Sequence, residues 1–162
     1  MTTNYSEQLH NVLLYSTQEA ERLGNDFVGP EHLLLGLLRN GKGKAIDILI
    51  QSNVDINKVK QTIESKIRTD KEPTGEAILT LKSTERIKKI MELETRSLSV
   101  EVADTEHLLL AILKEKNNLA VDTLFCSGNS AIAINTHNFF FLYQKCRRCR
   151  KVSITARFGN LS

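Results

Sequence analysis

Glu31-His32-Leu33-Leu34-Leu35-Gly36-Leu37-Leu38 returns 75 residues later as Glu106-His107-Leu108-Leu109-Leu110-Ala111-Ile112-Leu113. The first five positions are identical, and the next three keep their small or apolar character. An internal repeat outranks local signals in deciding a fold, because it says that one structural unit is used twice. The correspondence extends in both directions. Before the motif, Val12 matches Ile87, Tyr15 matches Ile90, Glu19 matches Glu94 and Leu23 matches Leu98; after it, Ala45 matches Ala120, Ile46 matches Val121 and Leu49 matches Leu124. The positions between them differ freely and are mostly polar, as two copies of one packed unit should show.

The period of the apolar positions is helical. Ser6 is a candidate N-cap, followed at helical spacing by Leu9, Val12, Leu13, Ser16, Ala20 and Leu23, with Gly24 where a C-terminal cap belongs. Asn25 to Gly29 is a short connection. Pro30 suits the first position of a second helix, where its missing N–H costs nothing, and Leu33, Leu34, Leu37 and Leu38 give that helix an apolar face. Arg39 to Gly43 is a turn; Ala45, Ile46, Leu49 and Ile50 fit a third helix. Asp55 caps a fourth, with Ile56, Val59, Ile63 and Ile67 on one stripe. Arg68 to Thr80, with Pro73 and Gly75, is a linker. The pattern then restarts at Ser83 or Thr84 with Ile87, Ile90, Met91, Leu93 and Leu98. Asp104 takes the cap position of Gly29, Thr105 that of Pro30, and Leu119, Val121 and Leu124 restore the third helix. The fourth helix of the second unit is not recognisable, and its loss would leave an apolar groove between the remaining ones. The expected fold is all-α: two tandem four-helix units, the second incomplete, packed together because each alone is small for a core.

Composition divides the chain at residue 125. Residues 1–125 carry 16 Lys/Arg against 19 Asp/Glu, whereas 126–162 carry 6 Lys/Arg and no acid. All three cysteines and four of the six phenylalanines lie after residue 125. The net charge of +3 therefore averages a mildly acidic, cysteine-free body and a basic tail, and nucleic-acid binding inferred from it would rest on the tail alone. The start has no basic region followed by an apolar run, and no stretch approaches the roughly 18 apolar residues of a membrane span. A cytoplasmic helical protein is expected.

Three motifs invite chemistry. Gly36 to Gly43 matches the start of a phosphate-binding loop, but Gly43 stands where a Mg²⁺-binding Ser or Thr is needed, and a helical leucine pattern stands where a strand is needed. A helix followed by a glycine turn is the better reading. Glu31-His32 and Glu106-His107 have no second His at i+4, so zinc-peptidase spacing is missing; no catalytic, metal or cofactor residue is assigned. The two glutamates fall in first helical turns, where the helix dipole favours a carboxylate by roughly 0.3–1 kcal/mol. That role needs no ligand, although doubled carboxylates at helix starts could also engage basic groups. Cys146-Arg147-Arg148-Cys149 is half a zinc site, and Cys126 and His137 do not form a standard second pair. Its basic run near Phe139-Phe140-Phe141 raises a membrane or nucleic-acid surface as a further reading.

Glu21-Arg22-Leu23-Gly24 with Val28-Gly29-Pro30-Glu31-His32-Leu33-Leu34-Leu35-Gly36-Leu37-Leu38-Arg39 resembles a first Clp repeat, and Asp104-Thr105-Glu106-His107-Leu108-Leu109-Leu110-Ala111-Ile112-Leu113 a second. Over about residues 5–125 the chain resembles the N-terminal domain of the Clp AAA+ unfoldases of the ClpC type. The resemblance implies two Clp repeats with pseudo-two-fold symmetry, at 1–67 and, truncated, at 81–125, joined by a linker at 68–80. It implies a monomeric module that performs no chemistry, recruits adaptor proteins and protein substrates, and serves a hexameric motor with a partner Clp peptidase. No nucleic acid or membrane is expected as a partner. In some members the glutamate before each motif histidine helps bind phosphorylated arginine, which makes Glu31 and Glu106 the candidate ligand residues. Residues 126–162 depart from the pattern. They are expected to be non-native or disordered: a frameshifted reading, a truncated gene product or a cloning scar. A truncated decoy that sequesters adaptors is the alternative function, with a tail-driven membrane or nucleic-acid binder behind it.

Overall fold

A computed structural model describes residues 4–71, 78–115 and 117–127. The first set of elements is β1 (Asn4–Tyr5), α1 (Glu7–Arg22), β2 (Phe27–Val28), α2 (Pro30–Asn40), α3 (Lys44–Gln51) and α4 (Ile56–Ile67). The second is β3 (Leu79–Thr80), α5 (Lys82–Ser97), β4 (Val102–Ala103), α6 (Thr105–Lys114) and α7 (Leu119–Ser127). Each start from β1 to α3, advanced by the repeat's 75 residues, is the start of its counterpart from β3 to α7. The fold is all-α, with four two-residue strands among the described residues. Tyr5, Phe27, Leu79 and their neighbours are too few to make a sheet of their own and serve as clasps.

Those clasps join the two units. β1 pairs in parallel with β4, Asn4 beside Val102 and Tyr5 beside Ala103; β2 pairs in parallel with β3, Phe27 beside Leu79 and Val28 beside Thr80. Exchanging the units turns one ladder into the other, which is the pseudo-two-fold relation in backbone form. The next bond obeys it too: Ser6 N–H donates to Ala103 O at 2.8 Å and Leu81 N–H to Val28 O at 3.1 Å. Leu79 and Thr80, in the stretch expected to be linker, are thus built into the fold.

Local chemistry explains most of the boundaries. Ser6 caps α1, its Oγ accepting from Leu9 N–H at 3.1 Å, and Gly24 follows the last turn in the left-handed region at φ +71°. Asp55 caps α4 through Lys58 N–H at 3.0 Å. Leu81, not Ser83 or Thr84, precedes α5. Thr84 lies fully buried one turn in, where its hydroxyl donates to Val28 O at 2.8 Å and ties α5 to β2. α7 continues to Ser127, two residues past the end expected for the second repeat.

Leu33, Leu34, Leu35, Gly36, Leu37 and Leu38 of α2 are all buried, as are Leu108 to Ile112 of α6. A helix apolar on every side belongs in a centre. α2 and α6 are that centre, covered by α1 and α5 on one side and by α3, α4 and α7 around the rest. Gly36 permits the closest approach: a Cβ there would lie 2.5 Å from both Val12 O and Ser16 Oγ of α1. Val59 and Ile63 of α4 are fully buried, with Ile56 and Ile67 packed at the margin, so the expected stripe faces the core. Leu93, expected inside, is 61% exposed: it lies beyond the stripe of Ile87 and Met91. The expected tail, Cys146 to Cys149 included, lies outside the described residues apart from Cys126 and Ser127. So do residues 131–142, the positions equivalent to α4.

Candidate functional site

α2 and α6 begin alike. Gly29 and Asp104 stand at the N-cap, and three residues on His32 and His107 fold back so that Nδ1 accepts the cap's own N–H, at 3.0 Å in both copies. This is the return half of a capping box, with histidine in the place usually held by Glu or Gln; Gly29 has no side chain to supply the other half, and Asp104 Oδ1 accepts from Thr105 N–H. An accepting Nδ1 places the ring proton on Nε2. Burial holds both rings neutral, pushing the His32 pKa down to about 4 and that of His107 also below its ordinary value, despite the opposing pull of nearby carboxylates. The histidines therefore fix the helix starts and contribute no charge. Nor does His107, 4.0 Å from Glu106, form an ion pair with it.

The glutamates between cap and histidine face the opposite unit. Glu106 Oε1 meets Lys44 Nζ at 2.9 Å, at the first residue of α3, while its Oε2 is buried with no partner. Glu31 Oε1 accepts from Leu119 N–H at 3.3 Å, at the first residue of α7. Lys44 and Leu119 are themselves equivalent, so each carboxylate meets the first residue of a helix of the other unit, Glu31 through a backbone N–H and Glu106 through a side-chain ammonium. Beside Glu106, Thr105 Oγ1 accepts from Ala45 N–H at 3.4 Å. Gly43 makes room for it at φ +97°, since a Cβ there would lie 2.7 Å from both Thr105 Oγ1 and Gln8 Oε1. In the other copy Asn118 takes Gly43's position and caps α7, its Oδ1 accepting from Val121 N–H at 2.8 Å.

A second repeated pair sets the far ends. Arg39, in the last turn of α2, binds Glu19 of α1 at 3.0 Å; its equivalent Lys114, in the last turn of α6, binds Glu94 of α5 at 2.5 Å. Cations there also oppose the negative end of the helix dipole. Glu19 is almost fully buried and takes Arg22 as well, at 2.6 Å. The helices bearing Glu31 and Glu106 are thus held at both ends.

The phosphate-loop look-alike resolves into the end of α2, a left-handed Gly41 at φ +63°, and Gly43 before α3. Among the described residues no three His, Cys, Asp or Glu side chains are grouped to hold a metal ion, and no helix is long and apolar enough to cross a membrane.

Known proteins match this architecture. Residues 4–125 match the Clp repeat (R) N-terminal domain. The chain belongs to that family. It is 34% identical over 138 residues to the chaperone protein ClpB of Oceanobacillus iheyensis, covering 83% of this chain and 16% of the relative. It is 36% identical over 118 residues to the ATP-dependent Clp protease ATP-binding subunit ClpC of Staphylococcus epidermidis, covering 71% of this chain and 14% of the relative. The chain thus spans about one sixth of the length of the curated relatives it matches, and the shared part is their Clp repeat domain. The fold recurs in the N-terminal domain of ClpD from Arabidopsis thaliana, at TM-score 0.66 and 20% identity over 86% of this chain and 94% of that one. It recurs also in the Hsp104 N-terminal domain from Candida albicans, at TM-score 0.69 and 13% identity over 86% and 91%. Clp N-domains are protein-binding modules of Clp ATPases.

The Clp repeats bring both candidate glutamates to equivalent places, but not to each other. What the sequence did not show is their surroundings. Lys44 comes to Glu106, and the start of α7 to Glu31, from the other repeat, some 60 to 90 residues away. The offset marks Lys44 and Leu119 as equivalent, yet nothing local says that they face Glu106 and Glu31.

Proposed function

We propose that this Clp N-domain is an adaptor- and substrate-recognition module of a Clp ATP-dependent chaperone–protease system, without motor activity of its own. On this reading it works in the cytoplasm with a motor and a Clp peptidase, and its two repeats at 1–67 and 81–125 offer one ligand site each, at Glu31 and Glu106. The ligand is a phosphorylated arginine, or another basic group, on a protein to be recruited.

The observation that carries this reading is a pair of equivalent glutamates, each meeting the first residue of a helix from the other repeat: Glu31 the Leu119 N–H and Glu106 the Lys44 ammonium. Phosphoarginine joins a guanidinium, which bonds well to a carboxylate, to a phosphoryl group, which suits backbone N–H groups at a helix start. Glu31 lies at the start of α7 and Glu106 at the Lys44 ammonium, so each carboxylate has a group suited to a phosphoryl oxygen beside it.

Free phosphoarginine titrated into the isotope-labelled chain should shift the amide signals of Glu31, Glu106, Lys44, Leu119 and Ala120. Equal shifts with inorganic phosphate would show a plain anion site, and no shift at these residues would remove the ligand assignment.

A further inference from the structure

The two candidate glutamates are equivalent in sequence but differ in company. Glu106 Oε2 is buried, so Oε1 is the oxygen a ligand can reach, and Oε1 already holds the Lys44 ammonium at 2.9 Å. The lysine side chain is 70% exposed and that of the glutamate 21%, so the cation is the solvent-side member of the pair. The backbone beside it is committed. Ala45 N–H donates to Thr105 Oγ1, and the N–H groups of Ile46 and Asp47 to Gly43 O. A group arriving at the start of α3 therefore meets the ammonium of Lys44 rather than the amides of the first turn. Glu31 makes no ion pair among the described residues; its Oε1 accepts from Leu119 N–H at 3.3 Å. There an apolar Leu119 stands at the position of Lys44, and Pro30 at that of Thr105. One carboxylate carries a cation of the protein's own, and the other does not.

We propose that Lys44 is a specificity-determining residue: it closes Glu106 to a plain guanidinium and opens it to a guanidinium that carries a phosphoryl group. The proposal rests on the reading of Glu106 as a ligand carboxylate. A plain guanidinium must displace Lys44 from Oε1. That exchanges one cation for another and leaves the displaced ammonium beside a second positive charge, which opposes binding. A phosphorylated guanidine offers the displaced ammonium a new partner. The guanidinium takes Glu106, Lys44 takes the phosphoryl oxygens, and every charge is paired at the end as at the start. Glu31 has no cation to displace and none to meet a phosphoryl group. It therefore accepts plain basic side chains as well. The module has one strict site and one permissive site, and the side chain at the first position of the facing helix sets the difference.

The test uses the full chain with labelled amides, and two probes, methylguanidine and phosphoarginine. The amides of Ala45 and Glu106 report one site, and those of Glu31 and Leu119 the other. In the wild type, methylguanidine should shift the Glu31 signals at lower concentration than the Glu106 signals. Lys44→Met should tighten methylguanidine at Glu106 roughly two- to fivefold, the worth of an exposed ion pair. It should also lower the ratio of phosphoarginine to methylguanidine affinity there roughly tenfold, the worth of one charge-assisted hydrogen bond. Binding at Glu31 should not change. A lysine that merely supported α3 would, when lost, weaken both probes together. Leu119→Lys should carry the preference for phosphoarginine over to Glu31; should that variant not fold, Lys44→Met, at an exposed side chain, decides alone. Phosphoarginine binding at Glu31 with an unchanged probe ratio at Glu106 in Lys44→Met would overturn the role of Lys44 and leave the ligand reading standing. Phosphoarginine that moves neither site in any chain would overturn the ligand reading, and this inference with it.

Discussion

His32 should make this domain acid-sensitive in a measurable and separable way. Its ring is 1% exposed, its Nδ1 is committed to Gly29 N–H, and its pKa in the folded chain is about 4 against 6.5 for an unburied histidine. The unfolded chain therefore takes up the proton near pH 6.5, while the folded chain resists it until pH 4. Between those values the unfolded state binds more protons, so stability falls as pH falls. At about 1.4 kcal/mol per pKa unit, the loss from this one residue is about 3 kcal/mol. Above pH 6.5 the contribution is complete, and below pH 4 it is gone. His107, shifted in the same direction by burial, adds to the slope. The perturbation is His32→Asn, whose amide oxygen can take over the bond from Gly29 N–H without a titrating ring. Urea unfolding of both chains from pH 8 to pH 4 isolates the term, because carboxylates common to both cancel in the difference. The wild-type chain should lose about 3 kcal/mol more than the variant over this range. Parallel profiles would show that the histidine is not held neutral and that its bond from Gly29 N–H does not fix the helix start.

Two glycine substitutions test close approach. Gly36→Ala gains about 1 kcal/mol of helix propensity but places a methyl 2.5 Å from Val12 O and Ser16 Oγ, an overpacking at the upper end of about 1–3 kcal/mol. The expected net loss of about 2 kcal/mol should appear as a melting temperature lower by about 6 °C, and a stabilised variant would refute the tight α1–α2 contact. Gly43→Ala meets both a positive φ of +97° and contacts of 2.7 Å, so it should cost about 2 kcal/mol by urea unfolding. It should also move the amide signals of Thr105 and Glu106, because Thr105 is the side chain it strikes.

How much of this was legible depended on whether the signal was local. The helices around the Glu-His-Leu-Leu-Leu motif could be read from spacing, since apolar periodicity and caps such as Ser6, Asp55 and Asp104 act within a few residues. The start of α5 is not legible because Leu81 has no capping side chain, and Thr84 directs its hydroxyl to Val28 O instead. The exposure of Leu93 is not legible because one apolar residue beyond a stripe looks like part of it. The clasps escaped notice because two-residue strands have no period to detect. The glutamates themselves stood out by repetition. Their partners depend on contacts between repeats that no window of sequence contains.

The central claim is that each repeat contributes one carboxylate to a site completed by the other. Calorimetric titration of phosphoarginine against four chains tests it most directly: the wild type, Glu31→Gln, Glu106→Gln and the double variant. Two equivalents bound by the wild type, one by each single variant and none by the double variant is the expected result. A single equivalent throughout, or binding that survives in the double variant, would contradict it.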